Sequence, residues 1–165
     1  MPANNWDKTV SLRKYRDDDL PFMQALYATT RESELAMTHF SALEKQQFVT
    51  QQFIAQTQHY RQHYCTDAFN IIELEGLPIG RLFVDYWDNE IRVVDIALLP
   101  AHQNTGLGSY LFEQLFEQAR ASGRTVSIHV EHNNPAKKLY ERLGFELKTQ
   151  TNEIYLLMEW QVPEG

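Results

Sequence analysis

Between residues 69 and 99 three strand-like runs follow one another with only short turns between them. The runs are "FNIIEL", "LPIGRLFVDY" and "EIRVVDIALL", and "EG" and "WDN" separate them. Runs of this kind joined by tight turns predict an antiparallel meander. Pro100 ends the third run, and the period then changes. Leu111, Phe112, Leu115, Phe116 and Ala119 recur at helical spacing, and Ser122-Gly123 stops that helix. "TVSIHV" reads as a strand, "NPAKKLYERL" as a short helix ended by Gly144, and "FELKT" with "EIYLLMEW" as a final hairpin.

Upstream, "VSLRKY" (10–15) alternates like a strand, and a helix starts in "RDDDLP", where acidic residues and Pro21 suit a first turn. Leu20, Met23, Leu26, Tyr27 and Thr30 carry that helix; Val49, Phe53, Tyr60 and Tyr64 mark a second, from about Ser41 to Tyr64. "RESELAMTHF" between them has no clear period and is expected to be loop or broken helix. The order β-α-α-β-β-β-α-β-α-β-β mixes a meander with helical crossovers. It predicts an α/β (α+β) fold with a central mixed, mostly antiparallel sheet flanked by helices on both faces.

The 165 residues suit one domain spanning 1–165, with 43% hydrophobic and 22% charged residues arguing against disorder. No apolar run nears the roughly 20 residues that cross a bilayer, and "MPANNWDKTV" lacks an apolar leader core, so no membrane partner is expected. Cys65 is the only cysteine, which excludes an internal disulfide and suits a reducing cytoplasm. A net charge of −7 disfavours nucleic acid as a partner. An anionic ligand therefore needs a local site.

The stretch "QNTGLG" is the candidate. A dinucleotide fingerprint needs a third glycine where Leu111 stands, and a phosphate-binding Walker loop needs a lysine that "GLGSYL" lacks. Two readings remain open on the glycines alone: a flexible strand-to-helix turn, or an anion cradle. In the cradle, Gln103 to Ser109 present main-chain amides at a helix N-terminus, and Gly106 and Gly108 admit an oxygen close to the backbone.

A second segment decides between them. "DIALLPAHQNTGLGSYLF" and "HNNPAKKLYERLGFEL" together resemble the two signature motifs of the GNAT superfamily of acyl-CoA-dependent N-acyltransferases. The first has a strand ending in a small–apolar–x–Pro tetrapeptide, then Arg/Gln-x-x-Gly-x-Gly/Ala opening a helix. The second is met by Asn133, Ala136, Tyr140, Gly144 and Phe145. "SLRKYRDDDLPFM" and "EGLPIGRL" are similar to the family's opening strand and second hairpin. One departure stands out: the family most often has Arg-Gly where this chain has Gln103-Asn104.

The resemblance implies acetyl-CoA as cofactor and a primary amine of a small molecule or peptide as acceptor. It is compatible with a homodimer. It places the coenzyme A pyrophosphate on the amides of Gln103, Asn104, Thr105, Gly106, Leu107, Gly108 and Ser109. The pantetheine arm pairs with Ile96, Ala97 and Leu98 where this strand splays from "TVSIHV", and Leu98 N–H is the oxyanion donor. Asn133, Asn134 and Ala136 lie at the cofactor, one of the asparagines also capping the short helix. Tyr140 is the expected general acid, since a phenol of pKa about 10 can protonate a leaving thiolate of about 8.5. A non-catalytic acyl-CoA-binding module is the alternative, and it has no need of that tyrosine.

The base is read from the residues alone. Asp95, a carboxylate just before the cofactor-binding stretch, ranks ahead of His129 and Glu131, which share a face of the neighbouring strand. Asp85 and Asp95 favour a cationic acceptor. His59 and His63 stand one helical turn apart but lack a third ligand, so no metal site is expected, and Cys65 has no partner for nucleophilic work. Trp6, His39, Phe40 and Trp87 fall in segments where this family usually builds its acceptor pocket, although such aromatics are more often simply core or surface.

Overall fold

The structure, a computed structural model, describes residues 6–163. Residues 1–5, half of the N-terminal stretch read as lacking a leader core, and residues 164 and 165 of the expected domain lie outside them. The elements are α1 (Trp6–Thr9), β1 (Val10–Lys14), α2 (Leu20–Ala36), α3 (Ala42–His63), β2 (Ala68–Leu74), β3 (Leu77–Tyr86), β4 (Glu90–Leu98), α4 (Leu107–Ser122), β5 (Thr125–Glu131), α5 (Ala136–Arg142), β6 (Glu146–Gln150) and β7 (Tyr155–Trp160). Seven strands form a sheet in the order β1-β2-β3-β4-β5-β7-β6. The β4–β5 pair is parallel, whereas β1–β2, β5–β7 and β6–β7 are antiparallel. This is the mixed, mostly antiparallel sheet that the element order implies.

One segment departs from its sequence pattern. Residues 31–36 of "RESELAMTHF" are helical, because α2 continues to Ala36. Arg, Glu, Leu and Ala are all good helix formers, and Leu35 is buried, so one apolar anchor suffices where periodicity is too thin to read. The single turn α1 is likewise unforeseen.

The chain divides into two compact units. One comprises Met1–Phe83 with Ile96–Gln103, the other Val84–Asp95 with Asn104–Gly165. In the first, α2 packs on α3; Met23, Leu26, Tyr27 and Leu35 of α2 and Val49 and Phe53 of α3 are buried. The Tyr27 and Phe53 rings lie 6.1 Å apart. Ser41 opens α3 with a reciprocal cap: its hydroxyl accepts from Glu44 N–H, and the Glu44 carboxylate accepts from Ser41 N–H. Arg13 of β1 donates to both carboxylate oxygens of Asp19, at 2.8 and 2.7 Å, and to Glu73 of β2 at 2.8 Å. That arrangement ties the first strand pair to the mouth of α2. It also holds the Asp19 carboxyl below the usual carboxylate range, chiefly through Arg13.

In the second unit, α4 buries Leu107, Leu111, Phe112, Leu115, Phe116 and Ala119. Each of the larger side chains contributes about 1.5–3 kcal/mol on leaving water. Phe116 stacks on Trp160 of β7 at 4.1 Å. Val126, Ile128 and Val130 are the buried alternate positions of β5, against which α4 and α5 pack.

Candidate active site

The mouth of α4 is built from backbone. Asn104 has φ 58° and Gly106 φ 90°, both left-handed. Gly106 pays no steric cost there, and asparagine is among the few other residues that visit this region readily. Asn104, where the resemblance expects glycine, thus takes up a left-handed backbone. Gly106 is the N-cap and supplies no side-chain cap. The first helical bond runs from Tyr110 N–H to the Gly106 carbonyl at 3.0 Å. The amides of Leu107, Gly108 and Ser109 precede that ladder and make no hydrogen bond among the described residues. Three amide protons at the positive end of a 16-residue helix form a local cationic field in an acidic chain.

Gln103 is engaged differently. Its N–H is directed at the Pro100 carbonyl at 3.3 Å, and its side chain donates to the Leu98 carbonyl at 2.9 Å. That side-chain contact is invisible in the sequence, because Leu98 and Gln103 meet only when the chain bends through Pro100–His102.

The β4–β5 register runs from Glu90↔Thr125 to Val93↔Ile128 and stops, although β4 continues to Leu98 and β5 to Glu131. Among the described residues no β4–β5 pair is registered beyond Val93↔Ile128; Ile96, Ala97 and Leu98 of β4 are half-buried.

Tyr140 projects from α5 into an aromatic cluster and is 6% exposed. Its ring meets Phe112 edge-on at 5.5 Å and Phe145 at 5.9 Å. Among the described residues its hydroxyl makes no hydrogen bond, and no fully buried side-chain polar atom is left without a partner. The hydroxyl tip therefore reaches solvent from an otherwise buried ring. Burial, followed by the negative charge of Asp95, pushes the phenol well above its ordinary value of about 10. The effect of Asp95 on the phenol puts the two residues within electrostatic reach. Asp95 itself is half-buried and has a partner. At the start of α5, the Asn134 side chain accepts from Ala136 N–H at 2.9 Å, a local cap; Asn133 is exposed.

His129 and Glu131 share their face of β5 with Ser127. There Arg92 of β4 is buried: it donates to Ser127 Oγ at 2.8 Å, pairs with Glu90 at 3.2 Å and approaches His129 Nδ1 at 3.3 Å. Ser127 also donates to Glu90. The Arg92 guanidinium lies 4.7 Å over the Trp87 ring. Desolvation and then the Arg92 charge lower the His129 pKa, so its imidazole is held neutral. A proton taken up by His129 would stand close to the Arg92 guanidinium. The network escaped sequence reading, although Glu90 and Arg92 at alternate strand positions were the available signal.

His59 and His63 stack at 4.2 Å, and among the described residues no group of three His, Cys, Asp or Glu side chains is placed to hold a metal. Cys65 and His39 are exposed, Phe40 rests near Phe48 at 6.2 Å, Trp6 lies in α1, and Asp85 is buried.

Taken together, a mixed sheet flanked by helices and a helix mouth without a side-chain cap define an α/β protein. Residues 23–145 match the sequence model of the acetyltransferase (GNAT) family, and the chain belongs to that family. It is 36% identical over 74 residues to the [ribosomal protein bS18]-alanine N-acetyltransferase of Haemophilus influenzae. That match covers 44% of this chain and 48% of the relative, so the chain spans about half the length of the curated relative it matches. Among solved structures, the PaiA N-acetyltransferase of Thermoplasma acidophilum in complex with coenzyme A has a TM-score of 0.67 at 14% identity. The alignment covers 93% of this chain and 99% of that one. Arabidopsis thaliana Naa50 in complex with a bisubstrate analogue, CoA-Ac-MVNAL, has a TM-score of 0.61 at 14% identity, with the same coverages of 93% and 99%. Likeness at these identities shows a shared fold.

Proposed function

We propose that residues 1–165 act as one N-acetyltransferase domain that moves an acetyl group from acetyl-CoA to a primary amine of a small molecule or peptide by direct attack. The observation that carries this reading is the set of unpartnered amides of Leu107, Gly108 and Ser109 behind the left-handed Asn104 and Gly106. It fits the pyrophosphate of coenzyme A without a single basic side chain from 103–109. Bound acetyl-CoA supplies the acyl group as an activated thioester.

The chain's residues then have distinct tasks. The amides of Leu107, Gly108 and Ser109, with the 104–106 turn before them, hold the pyrophosphate, the Gln103 amide being turned to the Pro100 carbonyl instead; Asn133, Asn134 and Ala136 lie beside the cofactor, while Ile96, Ala97 and Leu98 offer main-chain groups to the pantetheine arm. As the amine nitrogen attacks, Leu98 N–H donates to the carbonyl oxygen that becomes negative. The amine's surplus proton passes through water to Asp95. When the carbon–sulfur bond breaks, Tyr140 Oη gives its proton to the departing sulfur. Burial, then the Asp95 charge, raises the phenol, so the hydroxyl still carries its proton when the sulfur departs. An exposed Cys65 thiol suits a reducing cytoplasm.

The test is thiol release from acetyl-CoA with a panel of cationic small amines and peptide N-termini, beside calorimetry with coenzyme A. Amine-dependent release is expected. Tight cofactor binding without turnover across the panel would instead select the non-catalytic binding module.

A further inference from the structure

Gly80 of β3 sits where another strand's backbone occupies the space of a side chain. A Cβ built on it would lie 2.3 Å from the Ala97 carbonyl oxygen, 2.9 Å from Leu98 Cδ2 and 3.2 Å from Leu98 Cα. In a regular antiparallel pair the Cβ stands off the sheet and the partner's carbonyl lies within the ladder, so such a clash does not arise. The Ala97 carbonyl is thus turned out of the ladder and laid over the bare Cα of Gly80. Just beyond, Leu99 N–H donates to the Ile79 carbonyl at 2.8 Å, pinning the far side of the crossing.

The peptide plane has a consequence here. In a trans peptide the C=O of one residue and the N–H of the next point in opposite directions. With the Ala97 carbonyl laid against Gly80, Leu98 N–H points away from it. We propose that Gly80 is a positioning residue: its missing side chain sets the rotation of the 97–98 peptide and so aims Leu98 N–H at the thioester. This rests on the acetyl-CoA reading above and extends it to a residue that touches no substrate. Substitution cannot be absorbed cheaply, because the obstructing atom is backbone rather than the end of a flexible side chain. A methyl at position 80 must push the 97–98 peptide aside or rotate it.

The experiment titrates wild type and Gly80→Ala with acetyl-CoA by calorimetry and measures turnover per bound site. The variant is expected to lose at least tenfold in turnover per bound site, with a stoichiometry still near one per folded chain. A merely structural role would lower the stoichiometry or Tm and leave turnover of the folded fraction alone. Turnover per bound site within threefold of wild type overturns the proposal. If the variant does not fold, the wild-type Leu98 amide resonance decides: acetyl-CoA shifts it in the expected case, and an unmoved resonance overturns the proposal. Failure of the wild type to bind acetyl-CoA at all would sink the acetyltransferase reading instead, which separates the two.

Discussion

Tyr140→Phe removes one oxygen and isolates the chemistry from the packing. The edge-on contacts of the ring with Phe112 and Phe145 survive in phenylalanine, so the aromatic cluster is unchanged. A partnered hydroxyl contributes a net 0.5–1.5 kcal/mol in general, and this one makes no hydrogen bond among the described residues, so the stability change stays under about 0.5 kcal/mol. The effect on the reaction is far larger. A general acid is worth about 10²–10⁴-fold, or about 3–5 kcal/mol of barrier. The loss belongs in kcat, with KM for acetyl-CoA nearly constant, because the hydroxyl acts on the leaving sulfur. The raised phenol adds a pH signature. Below the unfolded value of about 10 the hydroxyl is protonated in both states, so wild-type kcat should show no alkaline fall from this group up to that pH. Thiol-release kinetics at saturating amine, with a thermal melt of each protein, make the comparison. A loss under threefold with chemistry rate-limiting returns Tyr140 to packing and revives the binding-module reading.

Other outcomes follow from the same geometry. Gly108→Val should weaken coenzyme A at least tenfold with little change in Tm, since a Cβ there meets only Leu139 at 3.8 Å; calorimetry showing wild-type affinity would place the cradle elsewhere. The lowered His129 pKa means the unfolded chain binds a proton that the folded one resists. Stability is therefore complete above the unfolded value of about 6.5 and declines as pH falls through the folded one. His129→Gln should flatten the decline in Tm on acidification, and an unchanged slope would refute this. Asp19→Asn should cost about 1–3 kcal/mol by loss of charged hydrogen bonds to Arg13, read by urea unfolding at pH 7. The difference should shrink as pH falls through the ordinary carboxylate range, because the depressed folded pKa stabilises only above it. A difference independent of pH would point to packing instead.

Much of this protein is local and was legible in its residues. Ser41 with Glu44 announces the start of α3, Gly123 the end of α4, and Glu75-Gly76 a two-residue hairpin, because caps and tight turns are decided within a few bonds. The helix mouth belongs to the same class: its unpaired amides come with any helix start, and Asn104 and Gly106 can adopt the left-handed backbone without help from elsewhere. Tertiary structure decided what depends on distant segments. β7 lies between β5 and β6 although β6 precedes it in the chain, because Leu156, Met158 and Trp160 find burial there. Residues 31–36 are helical because Leu35 has a core to enter. Tyr140 carries the same letter whether it packs or reacts; Phe112 and Phe145 surround its ring, and burial, then Asp95, raises its phenol. Arg92 is buried only because Glu90, Ser127 and His129 converge on it. Gly80 reads in the chain as one more small residue in a strand. Its meaning comes from the Ala97 carbonyl, which arrives from 17 positions later and leaves no room for a methyl group.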